Sequence, residues 1–306
     1  MRSRPRAPLP AREGVAPSRV YLPHGPWRTT LDFFVERFRF VDPQVLRARL
    51  LRGEIVDEAG HPEEAESAYR PGRWLWYYRE VPDESPVPFE LEILHRDARL
   101  VVVDKPHFLA SIPGGRYLRE TALTRLRHHL SLPELSPVHR LDRETAGVML
   151  FCADPASRGA YQSLFQSREV SKVYEAVAPL REDLALPLRY CSRLVAAPTH
   201  FTMMEAPGEP NSETRIALVR RLGTRALYCL QPATGRKHQL RAHMSALGMP
   251  ICHDAFYPAL QPETQRDDYA RPLQLLARSV SFVDPFSGEL RCFESRRSLA
   301  LAGDQG

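Results

Sequence analysis

No stretch of the 306 residues approaches the roughly 18 consecutive apolar residues that a membrane-crossing helix needs. The opening segment, Met1 to Pro17, is rich in Arg and Pro and lacks the apolar centre of a secretory signal. Cysteine is scarce and scattered: Cys152, Cys191, Cys229, Cys252 and Cys292 include no C-x-x-C pair, so neither a zinc ribbon nor a dithiol redox centre is signalled. An odd number of cysteines without a leader points to a reducing compartment, and the cytoplasm is the expected location. There is no glycine-rich phosphate loop. Lysine is almost missing, with only Lys105, Lys172 and Lys237, so nearly all of the 42 cations are Arg. A planar guanidinium suits phosphates, carboxylates and stacked bases, although a GC-rich genome produces the same bias. The excess over 37 acidic residues is only +5. It permits an RNA partner without demonstrating one, because the clustering of charge matters more than its sum.

What is present is an ordinary globular composition, 43% hydrophobic and 26% charged, with enough length for one large domain and one small one. Residues 1–19 read as a disordered basic tail. Leu31, Phe34, Val35 and Phe38 follow helical spacing, with Thr29 or Thr30 placed to cap the start. A second short helix carries Val45, Leu46, Arg49 and Leu50 and stops at Gly53, and Trp-Leu-Trp-Tyr-Tyr within Arg73 to Glu80 favours a strand. This unit, 20–82, resembles a small RNA-binding module first described in a ribosomal protein. The resemblance implies that Arg37, Arg47, Arg49 and Arg52 meet phosphates. Pro82, Pro86 and Pro88 mark a linker, and 300–306 reads as a tail.

Between these limits, 83–299, strands alternate with a few helices. Strands are expected at Leu100 to Val103, Ala146 to Cys152, Val173 to Val177, Thr214 to Val219, Ala226 to Leu230 and Ser279 to Val283. A helix after Cys152 is expected to have Asp154 as its cap and Pro155 at its first position. The fold class is α+β with a largely antiparallel sheet.

Two stretches set charge beside apolar segments, where a carboxylate can be desolvated and held by cations: Pro137 to Gly147 and Thr234 to His243. The second reads as a helix capped by Thr234 and closed by Gly248 and Pro250, with Lys237, His238 and Arg241 on one flank near its positive pole. His238, His243, Cys252, His253 and Asp254 have no recognised ligand spacing, and no metal is expected.

His139 to Gly147, His-Arg-Leu-Asp-Arg-Glu-Thr-Ala-Gly, resembles the signature of the RluA-type pseudouridine synthases. Asp104-Lys105-Pro106, Lys172-Val173-Tyr174, Thr234 to His243, Gly248 to Tyr257, and Leu273 to Gly288 are similar to further elements of that family in the right order. Departures are Leu276 and Asp284 where the family has His, Cys252-His253 before Asp254 in place of a Gly, and Ala110 to Pro113 after the early motif.

The resemblance implies a pseudouridine synthase fold with a cleft between two halves of the sheet. It also implies a monomer that isomerises uridine in structured RNA, ribosomal ahead of transfer RNA, with no cofactor. Asp142 would be the carboxylate that acts on the nucleotide. Arg241 would keep it ionised through a bidentate contact, with Arg236 as the rival. Tyr174 would stack on the uracil, Leu275 would wall the pocket, and Arg140 would fill the gap left by a flipped base. Lys172 would contact backbone or a structural carboxylate, Arg236 and His238 would face the RNA, and His139 would hold its loop by hydrogen bonds. The alternatives are an idle RNA-binding or ribosome-assembly factor of the same fold, which keeping both Asp142 and Tyr174 argues against, and a hydrolase using Asp142 with Glu144. Two carboxylates alternating on one short loop point apart, whereas glycoside hydrolysis needs them across the bond.

Overall fold

A computed structural model describes residues 7–79, 84–198, 201–262 and 267–303. The chain divides into two compact units, the second beginning at Ser85.

In the first unit, β1 (Ser18–Tyr21) and β2 (Ile55–Val56) both pair with β3 (Trp74–Tyr77) in a three-stranded sheet, with α1 (Thr30–Arg37) and α2 (Pro43–Leu51) between β1 and β2. Thr29 caps α1 in a reciprocal box with Asp32, and Asp42 caps α2 ahead of Pro43. Phe33, Phe34, Leu46, Leu50 and Leu75 form the core. The expected disordered tail, 1–19, does not hold where the chain is described. Residues 1–6 lie outside the described residues, Ser18 and Arg19 belong to β1, and the Arg12 guanidinium sits 3.7 Å from the Tyr78 ring centroid. Arg49 is not on the exposed basic face: it is buried, and its Nε donates to Glu54 at 3.0 Å.

The second unit is built on one sheet. In chain order its strands are β4 (Glu92–Arg96), β5 (Leu100–Lys105), β6 (Ser136–Pro137), β7 (Ala146–Cys152), β8 (Ser171–Pro179), β9 (Leu188–Ser192), β12 (Ser212–Leu222), β13 (Arg225–Pro232), β14 (Leu275–Val283) and β15 (Leu290–Glu294). A separate hairpin, β10 (Leu194–Ala196) with β11 (Met203–Glu205), lies between β9 and β12 in sequence. The helices are α3 (Ala122–Leu130), α4 (Arg158–Gln166) and α5 (Gln239–Ala246). The sheet runs β4-β5-β7-β14-β8-β13-β12-β9, and every pairing is antiparallel except β7 with β14. β5 and β7 are buried along their whole length, as the apolar runs Leu100 to Val103 and Ala146 to Cys152 require of strands covered on both faces, with Asp104 and Lys105 buried at the end of β5. One side packs against Leu123 and Leu126 of α3, and the other against Tyr161 of α4.

The parallel β7–β14 contact joins only Ala146 to Leu276 and Gly147 to Ala277, and it is the seam between the two halves of the sheet. Gly147 has φ +112, and a Cβ there would fall 2.2 Å from the Ala277 carbonyl oxygen. Gly147→Ala is therefore expected to cost roughly 2–3 kcal/mol, the upper part of the usual range for single substitutions. Thermal unfolding would read this as a clear drop in Tm.

Two expectations are corrected. α4 starts at Arg158, and Asp154 instead organises the preceding turn, accepting from Ala156 N at 3.0 Å and Ser157 Oγ at 2.5 Å. Within the expected tail, 300–306, Leu301 packs against the core and its N–H donates to Gln274 Oε1 at 2.9 Å, while 304–306 lie outside the described residues.

Candidate active site

The loop between β6 and β7 carries Asp142 and is fixed from several sides. His139 Nε2 accepts from Leu150 N at 3.1 Å, and its ring stacks on Phe165 at 4.6 Å. Burial, helped by Lys172, lowers its pKa to about 3, so it is neutral with the proton on Nδ1. Ser111 Oγ donates to Leu141 O at 2.6 Å and accepts from Leu141 N at 3.2 Å. Lys105, fully buried at the end of β5, donates to Pro106 O (3.0 Å), Leu109 O (2.8 Å) and Arg143 O (3.2 Å), which uses all three of its protons. Burial lowers its pKa to about 7, opposed by Glu144 and Asp142. His107 Nδ1 donates to Glu144 O at 2.6 Å.

Arg241, on the first turn of α5, is the centre of charge. Its side chain is 1% exposed and meets three carboxylates. Nε and Nη2 donate to Asp254 at 2.8 and 2.6 Å, a two-pronged contact. Nη1 donates to Glu144 Oε2 at 3.2 Å and to Asp142 Oδ2 at 3.4 Å. Burial opposes its charge, but Asp254 and then Glu144 and Asp142 outweigh burial and raise its pKa. The bidentate grip therefore falls on Asp254, and Asp142 receives one long contact. That leaves Asp142, 27% exposed, the looser of the carboxylates. Arg236 is not its partner: the Arg236 Nε donates to Asn211 O at 3.1 Å.

Asp142 opens into a cleft of about 870 Å³ lined by residues from both halves of the sheet, among them Arg140, Arg143, Lys172, Tyr174, Arg236 and Lys237. A smaller recess beside it is lined by Asp142, Tyr174, His238, Arg241 and Leu275. Tyr174 lies on β8 opposite Leu230 and Ala277. Burial and the neighbouring Asp142 push its phenol pKa up, so it is uncharged. Lys172 Nζ donates to the Thr234 carbonyl at 3.2 Å, a backbone contact. His238 Nε2 lies 4.0 Å from Asp142, and burial with Arg241 and Lys237 lowers its pKa to about 3.

The stretch before α5 differs from the expected helix. The helix begins at Gln239, and His238 takes a left-handed conformation with φ +52. Thr234 caps nothing: its hydroxyl donates to the Gln239 side chain at 2.7 Å and accepts from Glu213 N at 3.0 Å. Lys237, His238 and Arg241 therefore do not share one helical flank. His243 is spent on Thr214 and Ser212, each at 2.9 Å. Among the described residues no group of three or more His, Cys, Asp or Glu side chains could hold a metal.

Residues 99–246 match the family model described as RNA pseudouridylate synthase. The dual-specificity RNA pseudouridine synthase RluA of Haemophilus influenzae is 32% identical over 226 residues, spanning 69% of this chain and 95% of the relative. The chain belongs to the RluA-type RNA pseudouridine synthases. An uncharacterised RNA pseudouridine synthase of Synechocystis is 28% identical over 74% of this chain and 78% of its own. Among solved structures, human RNA pseudouridylate synthase domain containing 4 superposes with a TM-score of 0.53 at 26% identity, covering 69% of this chain and 90% of that one. The protein is thus an isomerase acting on RNA, with the α+β fold of this family. Among the described residues no helix is long and apolar enough to cross a membrane.

In this synthase, the sequence assigns no role to Asp254 or Lys105 beyond their motifs, and Glu144 enters only as the partner of Asp142 in a hydrolase. Asp254 falls where Cys252-His253 breaks the family pattern, which drew attention to metal ligands instead. The usable signal was charge balance: a buried Arg241 needs more than one carboxylate once one of them must stay available. Lys105 lay in a matched motif, but three carbonyl acceptors cannot be read from sequence.

Proposed function

We propose that the synthase acts on a uridine flipped out of structured RNA, with Asp142 as the carboxylate that attacks the nucleotide or takes its proton. The observation that carries this is Asp142 standing 3.4 Å from the buried Arg241 guanidinium while lining a recess shared with Tyr174. A charge-assisted contact to the guanidinium orients the carboxylate toward that recess. Tyr174 supplies a flat face for the detached uracil, Leu275 an apolar wall, and Arg140, exposed at the cleft, the group that takes the place of the flipped base. Arg236 offers its charge to phosphate along the cleft, His238 borders the base as a neutral ring, and Lys172 ties β8 to the Thr234 carbonyl.

The target in this reading is ribosomal RNA ahead of transfer RNA. Relatives carry the name dual-specificity, so both RNAs belong in the test. The protein acts as a cytoplasmic monomer. The unit 20–82 adds a second RNA contact through Arg37, Arg47 and Arg52, although Arg47 and Arg52 also pair with Glu66 and Glu54.

The test is mapping with a reagent selective for pseudouridine, on ribosomal and transfer RNA from cells with and without the protein. A mark in ribosomal RNA that disappears with the protein is expected, and identical maps would overturn the proposal. Tyr174→Ala restored to those cells should lower turnover by roughly 10–100-fold, the worth of one aromatic–base stack. RNA affinity should stay within about twofold, and Tyr174→Phe should stay close to wild type. Equal loss of binding and turnover in Tyr174→Ala would count against a stacking role.

A further inference from the structure

We infer that Glu144 is a positioning residue for the isomerisation: it keeps Arg241 in place while Asp142 gives up its charge to the nucleotide. The inference rests on Asp142 being the reacting carboxylate. Glu144 Oε2 lies 3.2 Å from Arg241 Nη1, closer than Asp142 at 3.4 Å, and both carboxylates address that same nitrogen. Glu144 is 13% exposed, and its Oε1 is 3.7 Å from Arg143 Nη1. Its backbone is pinned by the His107 ring, so the side chain starts from a fixed point. Nε and Nη2 of Arg241 are already committed to Asp254.

In both roles open to Asp142 its negative charge disappears during the reaction. As a nucleophile, its electron pair forms a C–O bond while the glycosidic pair leaves with the uracil. As a base, it takes a proton. With Asp142 alone on Nη1, that nitrogen would then face no anion inside a site where an unpaired charge is costly. Arg241 would be drawn elsewhere as the reaction proceeds. Glu144 holds the nitrogen throughout, and by sharing it leaves Asp142 free enough to reach the substrate. No other carboxylate among the described residues pairs with that nitrogen.

The groups facing Asp142 are few. From the α5 side come Arg241 and the neutral His238, and from β8 the uncharged Tyr174. From the end of β5 comes Lys105, bound to three carbonyls, and from the segment after Asp254 comes Tyr257, whose phenol burial pushes up to about 12. Arg143 flanks Glu144. None of these replaces a lost Glu144 charge on Nη1.

The experiment compares Glu144→Gln, Glu144→Asp and Asp142→Asn with the wild-type full chain, measuring kcat, KM for RNA and Tm. Glu144→Gln should lower kcat roughly tenfold or more through misplacement of the charge pair, with KM within about twofold and Tm unchanged. Glu144→Asp should recover part of kcat. A kcat within twofold of wild type in Glu144→Gln, or a loss of kcat of which Glu144→Asp recovers nothing, would overturn the inference. If Asp142→Asn is inactive in the same series, only the role of Glu144 has failed. If Asp142→Asn remains active, the assignment beneath it has failed.

Discussion

Asp142→Asn should bind its RNA as tightly as the wild type and leave no pseudouridine, a loss on the order of 10⁴-fold or more in single-turnover rate, as for removal of a central catalytic group. The expectation comes from the division of labour around Arg241. Its firm contacts, at 2.6 and 2.8 Å, go to Asp254, and Glu144 holds the remaining nitrogen at 3.2 Å. Asp142 adds only one contact of 3.4 Å. Asparagine at this position has the same size, so the loop held by Lys105, Ser111 and His139 has no reason to move. The site loses a negative charge and a proton acceptor, and little else. Thermal unfolding should therefore change slightly, and gel-shift affinity should match the wild type. Pseudouridine appearing at the normal rate would remove Asp142 from the chemistry altogether.

The same geometry explains what the sequence did and did not reveal. Elements with a local cause were legible: of the two threonines placed to cap α1, Thr29 does so, and the unbroken apolar run of Ala146 to Cys152 became a strand buried on both sides. The carboxylate at 142 and the guanidinium at 241 were legible through matched motifs, and they do meet. What escaped was set by contacts distant in sequence. The Thr234 hydroxyl had two uses open to it, capping a helix or bonding a side chain, and the Glu213 amide from β12 decided for the second. Arg49 fitted a basic helical stripe, yet Glu54 and the Tyr78 carbonyl bury it. Asp254 looked like one of several scattered metal-type residues because nothing in its neighbourhood announces a guanidinium arriving from α5.

Asp254→Ala should be the most destabilising single change in the site, at about 3–5 kcal/mol, the cost of removing one member of a buried ion pair. The carboxylate is fully buried and accepts four hydrogen bonds, two from Arg241 and two from the Phe256 and Tyr257 amides at 2.8 and 3.3 Å. Alanine removes the acceptor that these four donors share and leaves two guanidinium nitrogens facing a methyl group. Glu144 and Asp142 still offer Nη1 an anion, which moderates the loss but also draws Arg241 towards the reacting carboxylate. A fall in Tm of about 6–20 °C is expected from the usual conversion for a domain of this size. Activity should stay low even where the variant remains folded, because Arg241 no longer holds its position. The double replacement Asp254→Leu with Arg241→Met separates stability from chemistry. An apolar pair of similar volume should restore part of the lost Tm, since buried ion pairs rarely exceed a packed apolar contact in stability. Turnover should not return, because Asp142 and Glu144 then face each other without a cation. A wild-type Tm in Asp254→Ala, or turnover recovered by the double variant, would show that the buried pair neither supports the fold nor aligns the carboxylates.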